Sequence, residues 1–190
     1  MSATASVPVD AITRRLFTVH EFHEMARAGI LGEKERVELI EGEIVQMSPI
    51  GSPHVLGIAR LNAILSRLIG DDVLISPQSS FRINEHTELI PDFVLLRNKE
   101  YDDVPGAADA LLVIEVADSS LNSDLSSKAA IYAGAGVQEY WVWDVNRHMV
   151  HQFAEPSDGQ FTFRQPVKRG EVLTSLMVPS ISFEVVDISR

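Results

Sequence analysis

Residues 110–117 read ALLVIEVA, and the fold turns on how that run is interpreted. A nearly unbroken apolar stretch of this kind is the mark of a β-strand covered on both faces. Its one interruption, Glu115, is the strongest local anomaly in the chain. A carboxylate in the middle of a buried strand costs several kcal/mol unless something pairs with it. Upstream, residues 89–97 form a second strand candidate, in which Pro91-Asp92 leads directly into the apolar run FVLL. Residues 73–75, continuing to Ile83, form a third. Downstream, residues 123–133 fit a short helix with Gly134 and Gly136 at its exit. Residues 140–145 fit another buried strand, rich in aromatic and branched side chains.

Farther out the signals are mostly helical. Leu56, Ile58, Leu61, Ile64, Leu65, Leu68 and Ile69 recur at three- and four-residue steps, which predicts a helix of about 16 residues from His54 with one wide buried face. Thr18 followed by Glu21 has the form of a capping box. Val19, Phe22, Met25 and Ala26 then continue at helical spacing, and Gly29 ends the element. Between these helices, Glu41-Gly42 suits a tight turn joining two short strands. The tail alternates strands with turns at residues 156–159 and 168–170. Residues 1–16 are small and polar without periodicity, and are taken as a disordered leader; residues 17–190 then form a single domain. Helix, strands, helix, strand describes a layered α/β (α+β) domain with a mixed sheet.

Composition narrows the class. The chain has 190 residues, 45% of them hydrophobic, so a disordered protein is excluded. No apolar run reaches the roughly 18 residues a bilayer requires, and the N-terminus lacks the pattern of a secretory signal. The absence of cysteine removes disulfides and thiolate metal sites. These features point to the cytoplasm. Charge points away from nucleic acid: 16 basic against 27 acidic residues gives −11, which repels phosphate unless a local basic groove or a bound metal intervenes.

Candidate chemistry begins with Asp92 and Glu115. If their strands are neighbours, the two carboxylates converge on one face, and such oxygen ligands with waters are what Mg²⁺ or Mn²⁺ requires. The plain alternative pairs both with arginines or backbone groups. Lys128 lies on the short helix after the Glu115 strand, where a helical side chain leans back toward the helix start and could orient a water or stabilise phosphate charge. Its plain alternative is a surface pair with Asp124, four residues away. Glu38 is of interest only if Val37 and Leu39 face away from the site. His54, at the start of the long helix, could face a cleft as ligand or proton carrier.

Taken in order, ERVELIEGEIVQMSP, SPHVLGIARL, LIPDFVLL and LLVIEVADSSLNSDLSSKAAIYAGAGVQEYWVWDV resemble the Uma family of restriction-endonuclease-type proteins, a bacterial branch of the PD-(D/E)XK superfamily. The resemblance runs from about residue 18 to about residue 183. It implies a restriction-endonuclease-like αβββαβ core, here with extra strands at the C-terminus, and divalent-metal hydrolysis of phosphodiester bonds in DNA. Asp92 and Glu115 then stand for the motif's acidic pair, with the Val116 carbonyl as a further metal ligand. Glu38 takes the early acidic position and His54 that of the histidine at the helix start. The motif's lysine would fall at residue 117, which is alanine, and Lys128 matches a migrated lysine. Double-stranded DNA is the expected substrate and a homodimer the expected assembly. The alternatives are a catalytically inactive nuclease fold that binds nucleic acid or protein, and a small-molecule hydrolase using the same acidic pocket.

Other motifs are set aside. His20 and His23 are three apart, whereas HExxH requires four. His148 and His151 lack a third ligand, and Gly134-Ala135-Gly136 follows a helix where a dinucleotide loop would precede one.

Overall fold

Thr18 opens the first helix, α1 (Val19–Arg27), with the capping box in place: its side chain accepts from the Glu21 N–H while the Glu21 carboxylate takes the Thr18 N–H. The computed structural model describes residues 13–32 and 34–189. The expected leader therefore lies mostly outside the described residues. Strands β1 (Val37–Ile40) and β2 (Glu43–Gln46) form a hairpin whose turn residues, Glu41 and Gly42, have φ of 51° and 78°. Such left-handed pairs match the twist of a tight hairpin. Glycine is also required here for space, since a Cβ on Gly42 would lie 2.5 Å from Leu16 Cβ.

The long helix, α2 (Ser52–Leu68), begins with proline in its first turn, where the missing N–H costs nothing. Next come β3 (Val73–Pro77), β4 (Phe81–Asn84), β5 (Thr87–Leu89), β6 (Phe93–Arg97) and β7 (Ala110–Ala117). Helix α3 covers residues 121–134, and β8 (Glu139–Asp144), β9 (Met149–Ser157), β10 (Gln160–Lys168), β11 (Val172–Thr174) and β12 (Ser182–Glu184) complete the described chain. Six strands make the main sheet in the order β10-β9-β8-β7-β6-β3. Within it β7 and β8 run parallel, joined through α3, and the other neighbours are antiparallel. A second sheet has the order β2-β1-β5-β4. The mixed α/β architecture expected from the pattern is the one observed.

Two expected strands are each broken. The run from residue 73 to residue 83 splits at Gln78, whose φ is 45°, sending β3 to the main sheet and β4 to the second. Residues 89–97 split at Ile90-Pro91-Asp92, so Leu89 belongs to β5 and Phe93 to β6. Proline has no N–H for a ladder, and the Ile90 N–H is taken by the Glu38 carboxylate at 2.8 Å. Helix α3 starts two residues earlier than expected and contains a π turn, Asp124–Lys128, between α-helical ends.

Every residue of β7 is buried, as the apolar run demands. One face of the main sheet, with Phe93, Leu112, Ile114, Trp141 and Trp143, packs under α2 and the C-terminal segment. The opposite face, with Val94, Val113, Tyr140 and Val142, packs under α3 and strands β4 and β5. Each fully buried large side chain contributes about 1.5–3 kcal/mol. The C-terminal segment is tied down by the buried Glu139 carboxylate. It accepts from Trp141 Nε1 and Gln152 Nε2 at 2.8 Å, from Ser175 Oγ at 2.6 Å, and from the N–H groups of Leu176 and Met177 at 2.9 and 3.0 Å.

Candidate active site

The ladder between β6 and β7 decides where the acidic pair sits. Phe93 is opposite Ile114, so the antiparallel register continued by one residue puts Asp92 beside Glu115. Side chains alternate along a strand. Glu115 therefore shares the α3 side of β7 with Val113 and Ala117, and Asp92 falls on that same side. Asp92 Oδ2 accepts the Val116 N–H at 2.8 Å, which locks its carboxylate against the end of β7. Both residues are buried, at 6% and 4% exposure, and both line one cleft between the two sheets.

Lys128 reaches this cleft from the π turn of α3. Its Nζ lies 3.0 Å from Glu115 Oε1 and 3.3 Å from Glu38 Oε1. The surface pair with Asp124 is thus overturned: Lys128 is mostly buried and Asp124 is 2% exposed. Glu38 points from β1 into the same cleft and connects the sheets, taking the Ile90 N–H as well as the lysine. His54, in the first turn of α2, donates from Nδ1 to the Val116 carbonyl at 2.7 Å, since a carbonyl only accepts. Its Nε2 faces Asp92 Oδ1 at 3.2 Å. All five side chains singled out from the sequence meet here.

Two further residues belong to the site. Asp124 lines the cleft and accepts from Ser120 Oγ at 2.6 Å. Tyr132, wholly buried on α3, donates its hydroxyl to Glu115 Oε1 at 2.9 Å. The signal for both was present: residues 124, 128 and 132 recur at four-residue spacing, one stripe of a helix.

Charge in the cleft is unbalanced. Five carboxylates, Glu38, Asp92, Glu115, Asp118 and Asp124, line it with the Lys128 ammonium, the Arg36 guanidinium and His54. Burial, reinforced by Asp92, Asp124 and Glu38, pushes Glu115 up to about 8 even though Lys128 pulls it down. Asp124 is raised chiefly by burial. Burial works against the charge on Lys128, but Glu115, Glu38 and Asp124 override it and hold the amine above its ordinary range. Asp92, whose Oδ1 lies 3.2 Å from Nε2, raises His54 despite partial burial. Among the described residues no three His, Asp or Glu side chains are gathered closely enough to cage an ion. Asp92 and Glu115, with the Val116 carbonyl and solvent, are the oxygen donors that could hold an ion here. Those are hard oxygen donors carrying excess negative charge, and they suit Mg²⁺ or Mn²⁺.

A family model described as "Uma2: Putative restriction endonuclease" matches residues 19–186. The chain belongs to the Uma2 family. No curated protein matches it. Among solved structures, a crystal structure described as "a putative nuclease belonging to DUF820 from Anabaena variabilis" superposes with a TM-score of 0.70. That match has 14% identity and covers 90% of this chain and 97% of that one. At that identity the likeness concerns the fold, which is nuclease-like. In this Uma2 chain Glu38, His54, Asp92, Glu115 and Lys128, distant in sequence, line a single cleft. Among the described residues no helix is long and apolar enough to cross a membrane.

Proposed function

We propose that this Uma2 protein is a divalent-metal-dependent endonuclease that hydrolyses phosphodiester bonds of DNA. The observation that carries the reading is the meeting of Asp92, Glu115 and Lys128 in one cleft, from two adjoining strands and the helix that covers them. Asp92, Glu115 and the Val116 carbonyl would hold Mg²⁺ or Mn²⁺. When bound, the ion supplies a lowered water pKa and polarises a phosphoryl oxygen.

The chain's own groups do the rest. Asp92 is aimed by the Val116 N–H, and His54 holds the Val116 carbonyl while facing Asp92. Glu38 anchors the Lys128 ammonium at the cleft. There its remaining N–H groups can orient an attacking water or meet a phosphate oxygen. Ala117 is buried in β7 and carries no amine, so Lys128 is the cation that serves. Two such sites in a homodimer would cut both strands of a duplex together, and a homodimer in the cytoplasm is part of the proposal.

Net charge favours a second reading, in which the fold binds nucleic acid or protein without cutting. The deciding experiment incubates wild type, Asp92→Ala and Glu115→Ala with plasmid and linear DNA in Mg²⁺. Cleavage by wild type, lost in both variants with unchanged circular dichroism, is the expected result. A variant that cuts at the wild-type rate ends the nuclease reading, and absence of Mn²⁺ binding to wild type in calorimetry supports the second.

A further inference from the structure

Behind the cleft, the phenol of Tyr132 bonds to Glu115 and has no part in the motif. Its ring is fully buried, 4.8 Å from the ring of Tyr140 and 6.4 Å from that of Phe81, centroid to centroid. A buried tyrosine hydroxyl needs an acceptor, and an uncharged one would suffice. Tyr140, in the same core, uses a backbone carbonyl, that of Asp124 at 3.0 Å. Tyr132 instead donates to Glu115 Oε1 at 2.9 Å, the oxygen that also receives Lys128 at 3.0 Å. The two donors are four residues apart on α3, so one helix stripe delivers both. Oε2 of Glu115 takes no hydrogen bond among the described residues.

We propose that Tyr132 is a positioning residue of this site: together with Lys128 it occupies Oε1 of Glu115 and holds the carboxylate so that Oε2 is the oxygen offered to a divalent cation. The proposal rests on the nuclease reading and adds a residue to it. Once a cation keeps Glu115 ionised, a hydrogen bond to its carboxylate is stronger than one between neutral groups. A fully buried ring leaves that bond little freedom to change its geometry.

Tyr132→Phe removes only the hydroxyl. Calorimetry without DNA should show Mn²⁺ binding weakened about tenfold or more, with circular dichroism unchanged. Cleavage should fall at limiting Mg²⁺ and recover as Mg²⁺ is raised, a split that a purely structural defect does not give. If Tyr132→Phe binds Mn²⁺ as wild type does while Glu115→Ala does not, the positioning role is overturned and the nuclease reading stands. If Glu115→Ala also binds and cuts normally, both fall. Should Tyr132→Phe not fold, the wild type decides. The chain has 3 tyrosines, so protein carrying ¹³C at tyrosine Cζ gives a readable spectrum. Saturating Mg²⁺ should move the Tyr132 signal, because an ion on Oε2 withdraws charge from Oε1; an unmoved signal overturns the proposal.

Discussion

Glu115 and Glu139 show why a buried carboxylate is not by itself a site. Both are almost wholly enclosed. Glu139 is satisfied by five neutral donors and bolts the C-terminal segment to the sheet. Glu115 has two donors on one oxygen and three other carboxylates for neighbours. This difference has a testable consequence. With its value raised from 4.5 to about 8, Glu115 favours the folded state in its protonated form. That stabilisation is complete below the unfolded value and is lost as pH rises through the folded one. In EDTA, Glu115→Gln should therefore gain melting temperature relative to wild type between about pH 5 and about pH 8. Contributions from His54 and Asp124 are common to both proteins and drop out to first order. Saturating Mg²⁺ should narrow the gap by stabilising only wild type. Parallel melting curves across that range would remove the electrostatic account. Glu115 was legible in ALLVIEVA because charge is rare in such a run. The burial of Lys128 was not, since its spacing from Asp124 suits a solvated helix face equally well.

At the scale of elements, two local features aim the site. The π turn inserts into α3 where Asp124 and Lys128 are carried; such turns recur at functional positions because they redirect side chains. Serine hydroxyls bonding back to the helix carbonyls of Asn122 and Ser123 accompany it. The other feature is Gly57, where α2 lies against β7. A Cβ there would be 2.9 Å from Val116 Cγ1 and 3.4 Å from Ile188 Cδ1. In an open helix, replacing glycine with alanine gains about 1 kcal/mol. Here the overlap with a branched side chain should outweigh that gain, and Gly57→Ala should lose about 1 kcal/mol or more in urea unfolding. Because α2 carries His54 onto the Val116 carbonyl, cleavage should fall with it. A variant more stable than wild type would show that the helix can back away freely. The breaks at Gln78 and at Ile90-Pro91 were not legible as changes of sheet, because a strand's sequence pattern records which faces are buried and not which sheet buries them.

For the whole molecule, charge is the governing quantity. A net charge of −11 opposes approach of a polyanion, and the cleft itself is acidic. Association with DNA should therefore depend on divalent ions beyond any need for chemistry. In EDTA at moderate salt, gel shift should detect no complex; Ca²⁺, which accepts the same oxygen ligands with looser geometry, should restore binding without cleavage. Equal binding in EDTA and Ca²⁺ would mean that DNA is held by a surface away from this cleft.

Sequence alone determined the elements and the chemical types: the double-faced strand β7, the α2 periodicity, the capping box and the unusual carboxylate at Glu115. These are written in local spacing, because backbone geometry imposes periods of about 2 and 3.6 residues on any buried face. Tertiary structure decided which groups meet. The register of β6 on β7, the placement of β1 that sends Glu38 across from the second sheet, and the α3 stripe that brings Tyr132 to Glu115 all depend on contacts between distant segments. No local spacing encodes those distances.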